Sequence, residues 1–236
     1  MAAVVAAAAS VVASGCGGAA TTASVATRTA TSVPPVVTTA VPAVTTSTPR
    51  PRPKPKPEPN PGSLPQTDQQ PSADTPAFHA EMAALWNGVR TNSLAAALPA
   101  FFPEGAYAQV KQIADPQGDW ADRLVSDYHL DLTAAHQLLG GNSAGARLVA
   151  VHVPAGYAHW VGPGACYNGV GYYEVPNVRI VYSENGVVHS FGIASMISWR
   201  GIWYVIHLGA ILRPGAGGVV DDPASGPGES IPSSTC

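Results

Sequence analysis

Charge is scarce in this chain. Only 11% of its 236 residues are Asp, Glu, Lys or Arg, and the formal net charge is −3. The few basic residues form no stripe along the aromatic-rich part, so nucleic acid is not expected as a partner. Cysteine is scarcer still. Cys16, Cys166 and Cys236 stand far apart. No Cys or His pair has the close spacing of metal ligands, so neither a metal nor a cofactor is expected. Long apolar runs are missing too. Ala2 to Val12, with Ser10 its only polar residue, is too short for a membrane-crossing helix, which takes ~20 residues. No Gly-x-Ser-x-Gly elbow, phosphate loop or dinucleotide fingerprint occurs. Ser195 sits in Gly192-Ile-Ala-Ser-Met196, a strand-like run rather than a strand-to-helix turn. Aromatics are absent before Phe78, and all five Trp, eight Tyr and four Phe fall within 77–213. Aromatic side chains supply much of a core's buried area. One globular domain is therefore expected over 77–213, about 140 residues long.

The N-terminal apolar run suits a signal peptide. It leads into Ala13-Ser14-Gly15-Cys16. Ser14, Gly15 and Cys16 resemble the end of a bacterial lipoprotein signal, although Ala13 stands where Leu is usual and no Lys or Arg follows Met1. The resemblance implies cleavage before Cys16, a palmitate-type lipid on that residue, and a chain anchored at the extracytoplasmic face of the cell membrane. An ordinary signal peptide and a secreted chain are the alternative. Acyl chains supply membrane affinity at about 0.8 kcal/mol per buried methylene.

Residues 17–76 carry no helical or alternating apolar period. Pro recurs at every second position from Pro49 to Pro61. Each Pro fixes φ and removes a donor, which favours polyproline II over helix or sheet. The segment reads as a disordered tether that reaches roughly 40 Å coiled and 190 Å extended. Its basic cluster, Arg50 to Lys56, is a solubilising linker or a contact for anionic lipid or cell-wall polymer.

The domain changes period midway. Pro76 opens a helix with Phe78, Met82, Leu85, Trp86 and Val89 on one face. Asn92-Ser93 offers a cap for a second, short helix through Leu98 or Phe102. Gly105 to Ile113 continues helically. Asp119 is expected to cap a helix with Trp120 and Leu124, and Asp131 a further one that stops at Gly140. After Gly145 the pattern turns to strands: Arg147–Val153, Tyr172–Tyr182 with an interruption at Pro176-Asn177, Val187–Trp199 and Ile202–Leu212. Asn185-Gly186 is a strong hairpin signal, and Arg200-Gly201 marks a second tight turn. Helices followed by an antiparallel meander make an α+β plan, with 214–236 left as a Gly- and Pro-rich tail.

The closing hairpin, Ser198-Trp-Arg-Gly-Ile-Trp-Tyr-Val-Ile-His-Leu208, carries a resemblance. It looks like the end of the cone-shaped fold of nuclear transport factor 2 and ketosteroid isomerase. Residues 77–236 are also similar to actinobacterial cell-envelope proteins with this hairpin and an Asp-Pro-x-x-Gly-Pro-Gly tail, here Asp222 to Gly228. The resemblance implies N-terminal helices packed on a curved antiparallel sheet, and a pocket on its concave side. Tyr173, Glu174, Trp203 and His207 are the candidate pocket residues. That fold hosts enzymes, binders and assembly modules.

Three functions stay open. A binding module for an envelope protein, wall polymer or apolar small molecule is preferred, because anchor and tether come without catalytic motifs. An isomerase or hydrolase using the pocket is the rival, and a domain that assembles as a homodimer is the third. If Cys16 is lipidated, Cys166 and Cys236 remain as an even pair outside the cytosol, where disulfides persist. Pairing would close a long loop, worth about 4 kcal/mol in the chain-entropy model, and two free thiols are the alternative.

Overall fold

A computed structural model describes residues 60–233. Cys16, the signal segment, the tether before residue 60 and Cys236 lie outside the described residues. The domain is α+β, and all the strand pairings of its six-stranded open sheet are antiparallel.

Helix α1 (Pro76–Thr91) starts where Thr75 accepts a hydrogen bond from the Phe78 N–H, with Pro at the first helical position. Phe78, Met82, Leu85, Trp86 and Val89 are all buried, which matches the apolar stripe in the sequence. The helix ends at Asn92, whose φ of 48° is left-handed. Ser93 then caps the short α2 (Leu94–Ala97). Gly88 lets the two helices touch, since a Cβ there would sit 2.4 Å from the Ala97 Cβ. Helix α3 (Glu104–Val110) ends at Val110, earlier than expected.

The next region differs from the expected pair of capped helices. Asp115, not Asp119, caps α4 (Pro116–Asp119), which runs without a break through a π-helical turn (Trp120–Leu124) into α5 (Val125–Leu138). The apolar stripe explains the continuity, because Leu124, Tyr128, Leu132, Ala135 and Leu139 recur through the position of Asp131 and are all buried. Asp131 therefore sits inside a helix and caps nothing.

The sheet is built on one long hairpin, β3 (Tyr172–Glu184) and β4 (Val187–Trp199). Asn185 and Gly186 turn it with φ of 51° and 80°, the left-handed pair that a two-residue hairpin loop requires. Two different strands flank each half. At the tip lie β1 (Arg147–His152) on β3 and β6 (Asp221–Ser225) on β4. At the base lie β2 (His159–Val161) on β3 and β5 (Ile202–His207) on β4. Aromatic rings join the helices to the sheet. Phe102 meets Trp199 and Tyr204 edge-on, and Trp86 lies 5.4 Å from Tyr182.

Both ends of the domain extend past the expected 77–213. On the N-terminal side, the Trp199 indole donates to the Pro61 carbonyl at 2.8 Å, and the Gln66 side chain donates to the Ser198 carbonyl at 2.9 Å. On the C-terminal side, strand pairing stops at His207 instead of Leu212, and β6 forms where only a tail was expected. A strand containing Pro223 is tolerable there because β6 is an edge.

Asp131 controls that C-terminal path. It is 2% exposed. Its carboxylate accepts the N–H of Gly209 at 3.0 Å, the N–H of Val219 at 2.8 Å and two bonds from Arg213 at 2.8 and 3.1 Å. Removing the carboxylate leaves two backbone N–H groups without their acceptor and Arg213 with Asp127, at 3.3 Å, as its remaining ionic partner. Asp131→Ala is expected to lower stability by about 3–5 kcal/mol, measured as the shift in the urea unfolding curve. A loss under about 1 kcal/mol, the range of an exposed pair, would show that this junction is not anchored as described.

Candidate functional site

A cavity of about 240 Å³ lies between the helices and the base of the hairpin. From the helical side Tyr107, Val110 and Lys111 come off α3, and Arg123 and Leu124 come off the π-helical turn. A π turn carries an extra residue per turn and often marks a functional site. From the sheet come Tyr172 and Glu174 on β3, Ser195 and Ile197 on β4, and Ile206 and His207 on β5. Cys166 and Ile211 close the rim.

The candidate residues Tyr173, Glu174, Trp203 and His207 divide between two faces. Cross-strand partners share a face, and Glu174 pairs with Ile197, which pairs with Tyr204. That row faces the helices and the cavity. Tyr173 is one residue out of step, so it points to the opposite face. There it packs edge-on against Trp160 with ring centroids 5.1 Å apart. Trp203 pairs with Ser198 and lines a different hollow with Val151 and Val153.

His207 should have shared the face of Trp203 by simple alternation. A β-bulge prevents it. Met196 pairs with Val205 but Ser195 pairs with His207, so β5 holds one extra residue at Ile206. The extra residue resets the alternation and turns His207 to the face of Glu174. Tyr107, Lys111, Arg123, Tyr172 and Ser195 were not among the sequence candidates. Only Tyr172 carried a readable signal, the parity it shares with Glu174.

The polar side of the cavity is a connected set. The Ser195 hydroxyl donates to Glu174 Oε1 at 2.6 Å, with Ser195 only 1% and Glu174 2% exposed. His159 Nε2, on the β2 edge, stands 3.8 Å from Glu174 Oε2. The Asn168 amide donates to the Tyr172 hydroxyl at 3.1 Å. Lys111 Nζ donates to the Cys166 carbonyl at 2.9 Å, and burial pulls its pKa down, helped by the charge of Arg123. Arg123 forms a two-pronged pair with Asp119 at 2.7 and 2.5 Å. That pair raises the pKa of Arg123 and lowers that of Asp119. The Tyr107 hydroxyl donates to the same Asp119 carboxylate, and burial together with that bond raises its pKa.

Burial first, and then the positive charges of Arg123, Lys111 and Arg213, push His207 down to about 4. The imidazole is therefore neutral at neutral pH. The arrangement offers two fixed cations near the helical side, a buried carboxyl–hydroxyl pair on the sheet, a neutral imidazole between them, and apolar walls. Among the described residues no group of three or more His, Cys, Asp or Glu side chains is placed to hold a metal ion. Compared with family models, with curated proteins and with solved structures, the chain matches none of them.

The histidine has a measurable consequence. The unfolded chain binds a proton at His207 near the ordinary pKa of 6.5, whereas the folded chain resists it until about 4. The unfolded state thus holds more protons between these values, and stability falls as pH drops through that window. The full effect is on the order of 3 kcal/mol. Urea unfolding from pH 7.5 to 4.5 should show the slope, and His207→Gln should flatten part of it. An unchanged slope in a folded His207→Gln protein would contradict the burial of a neutral imidazole.

Proposed function

We propose that the chain is a lipid-anchored binding module at the extracytoplasmic face of a membrane, and that the Glu174–His207 cavity takes a small amphipathic ligand. The two-sided lining of the cavity carries this reading. Val110, Leu124, Ile197 and Ile206 present an apolar wall, while Glu174, Lys111, Arg123 and His207 present polar groups. Ligand sites combine apolar walls with a few orienting polar groups. The resemblance to the nuclear transport factor 2 cone is kept as part of the proposal. Helices on one face of an antiparallel sheet, and a pocket histidine on the closing hairpin, support it.

Ser195 favours binding over catalysis. A nucleophilic serine needs a base within hydrogen-bond reach and access to its substrate. The Ser195 hydroxyl is buried and directed to Glu174. The alternative, an isomerase or hydrolase, draws on one observation: a carboxylate and a neutral imidazole line the same cavity.

The anchor belongs to the same proposal. A lipid on Cys16 and a Pro-rich tether would hold the binding domain away from the bilayer, within reach of wall polymer or envelope proteins. The Cys166–Cys236 disulfide would secure the C-terminal segment. Two experiments separate the parts. Cys16→Ala should move the protein from the membrane to the soluble fraction of fractionated cells, and unchanged membrane retention would refute the anchor. Ile206→Trp should fill the cavity. Ligand-observed NMR with a set of small amphipathic molecules should show binding to the unsubstituted protein and at least a tenfold loss in the variant. Binding that survives in a folded Ile206→Trp protein would place the ligand elsewhere.

A further inference from the structure

A second hollow, sharing no lining residue with the Glu174 cavity, lies where α1 meets β5. It is a groove of about 550 Å³. Ala77, Ala80 and Glu81 of α1 form one side. Leu98, Phe101, Trp120, Tyr204 and prolines 61, 99 and 103 line the rest. Nearly all of these side chains are apolar or aromatic. Among the described residues, only Glu81, Tyr204 and Glu104 of the lining titrate, and no Lys or Arg lines the groove.

Glu81 is the unusual member. One of its carboxyl oxygens, Oε2, is shut off from solvent and has no hydrogen-bond partner. A buried polar atom left unpaired is destabilising, and such atoms are rare enough to need an explanation. Burial raises the pKa of Glu81 to about 8, with the hydroxyl of Tyr204 beside it working weakly in the opposite direction. The pKa of Tyr204 is raised by burial and by Glu81, so its phenol keeps its proton at neutral pH. The Tyr204 hydroxyl stands beside the carboxyl, and Oε2 is left without a partner. Glu81 itself lines the groove, and because the terminal torsion of Glu is broad and nearly two-fold, rotation about it can turn the acid's proton to an acceptor bound there.

We infer that this groove is a second binding site, for an uncharged molecule that offers a carbonyl oxygen on an apolar or aromatic body, with the carboxylic acid of Glu81 as hydrogen-bond donor. The missing acceptor selects the carbonyl. The walls of Phe101, Trp120, Leu98 and the prolines select the apolar body. The absence of a lining cation among the described residues, and the exposed side chain of Glu104, select against an anion. A cation is the remaining rival, since aromatic faces and carboxylates also attract ammonium groups. The two ligands respond to pH in opposite directions. A carbonyl needs Glu81 protonated, whereas an ammonium needs it ionised.

The test uses the full chain as its Cys16→Ala form, so that neither acyl chains nor detergent compete for the probe. The probe is prodan, a fluorescent aryl ketone whose emission reports both an apolar surrounding and a hydrogen bond to its carbonyl. Its ketone-free relative, N,N-dimethylnaphthylamine, serves as control. Prodan should bind at pH 7 and weaken by roughly tenfold at pH 9, where about a tenth of the Glu81 carboxyl stays protonated. Glu81→Gln keeps an uncharged donor, so binding should persist and lose its pH dependence. Glu81→Leu should weaken prodan by roughly tenfold and remove the emission signature of the bonded ketone, with little effect on the control. Near-ultraviolet circular dichroism confirms that each variant is folded. No binding of prodan, equal binding to the folded Gln and Leu variants, or affinity that rises with pH would overturn the inference, the last in favour of a cationic ligand. The Ile206→Trp substitution lies in the other cavity and should leave prodan binding unchanged.

Discussion

Four hydrogen bonds to one buried carboxylate set the path of the chain after the last hairpin strand. Asp131 holds the N–H of Gly209, the N–H of Val219 and the guanidinium of Arg213. Gly209 has to be glycine, because a Cβ there would fall 1.8 Å from the Val219 carbonyl oxygen. The chain therefore leaves β5, folds tightly against α5 and returns as β6 on the tip of the hairpin. There Arg179, 1% exposed, bonds Asp222 and Ser190, and Asn177 bonds Asp221. Ionic and amide contacts, not apolar burial, fasten this last strand. They are stable because each buried charge has several partners.

The same junction matters for the candidate site. Ile211, just beyond Gly209, closes the rim of the Glu174 cavity, and Arg213 contributes to the field that keeps His207 neutral. The bulge at Ile206 turns the imidazole inward, and the π-helical turn brings Arg123 and Leu124 over it. Two local irregularities on facing layers thus meet at one cavity. Irregular backbone at a site is costly to hold and persists where the surroundings over-determine it. The π turn also supplies Trp120 to the second groove, where its indole donates to the Phe102 carbonyl at 2.8 Å. One helix segment therefore helps to shape both hollows.

Much of the architecture was legible because it follows apolar periodicity. The stripe Phe78, Met82, Leu85, Trp86 and Val89 marked α1, and Asn185-Gly186 marked the hairpin. Asp119 and Asp131 misled because Asp before an apolar run is a good cap. Each side chain has a stronger use, Asp119 with Arg123 and Tyr107, and Asp131 with the C-terminal backbone. The packing of Asn60 to Gln66 was not legible either. It depends on single bonds to Trp199 and Ser198, which leave no pattern in a Pro-rich run. Of the four candidate residues, Glu174 and His207 line the cavity, while Tyr173 and Trp203 were drawn in by adjacency and by an alternation that the bulge had shifted. Glu81 gave no signal at all, being one acidic residue on the face of a helix.

Scarcity of charge, the confinement of aromatics to 77–213, the alternating prolines and the change of period near Gly145 were enough to determine one α+β domain and to frame an anchored binding module as the leading hypothesis. These are composition and periodicity, which act through local backbone preference and the need to bury apolar surface. Tertiary structure alone decided that Glu174, Ser195 and His207 share one cavity with Lys111 and Arg123, that β6 joins the sheet, and that the Glu81 carboxyl is sealed against Tyr204. Each depends on one extra residue, one buried charge or one close approach between elements distant in sequence. Such events change which side chains meet without altering any pattern along the chain.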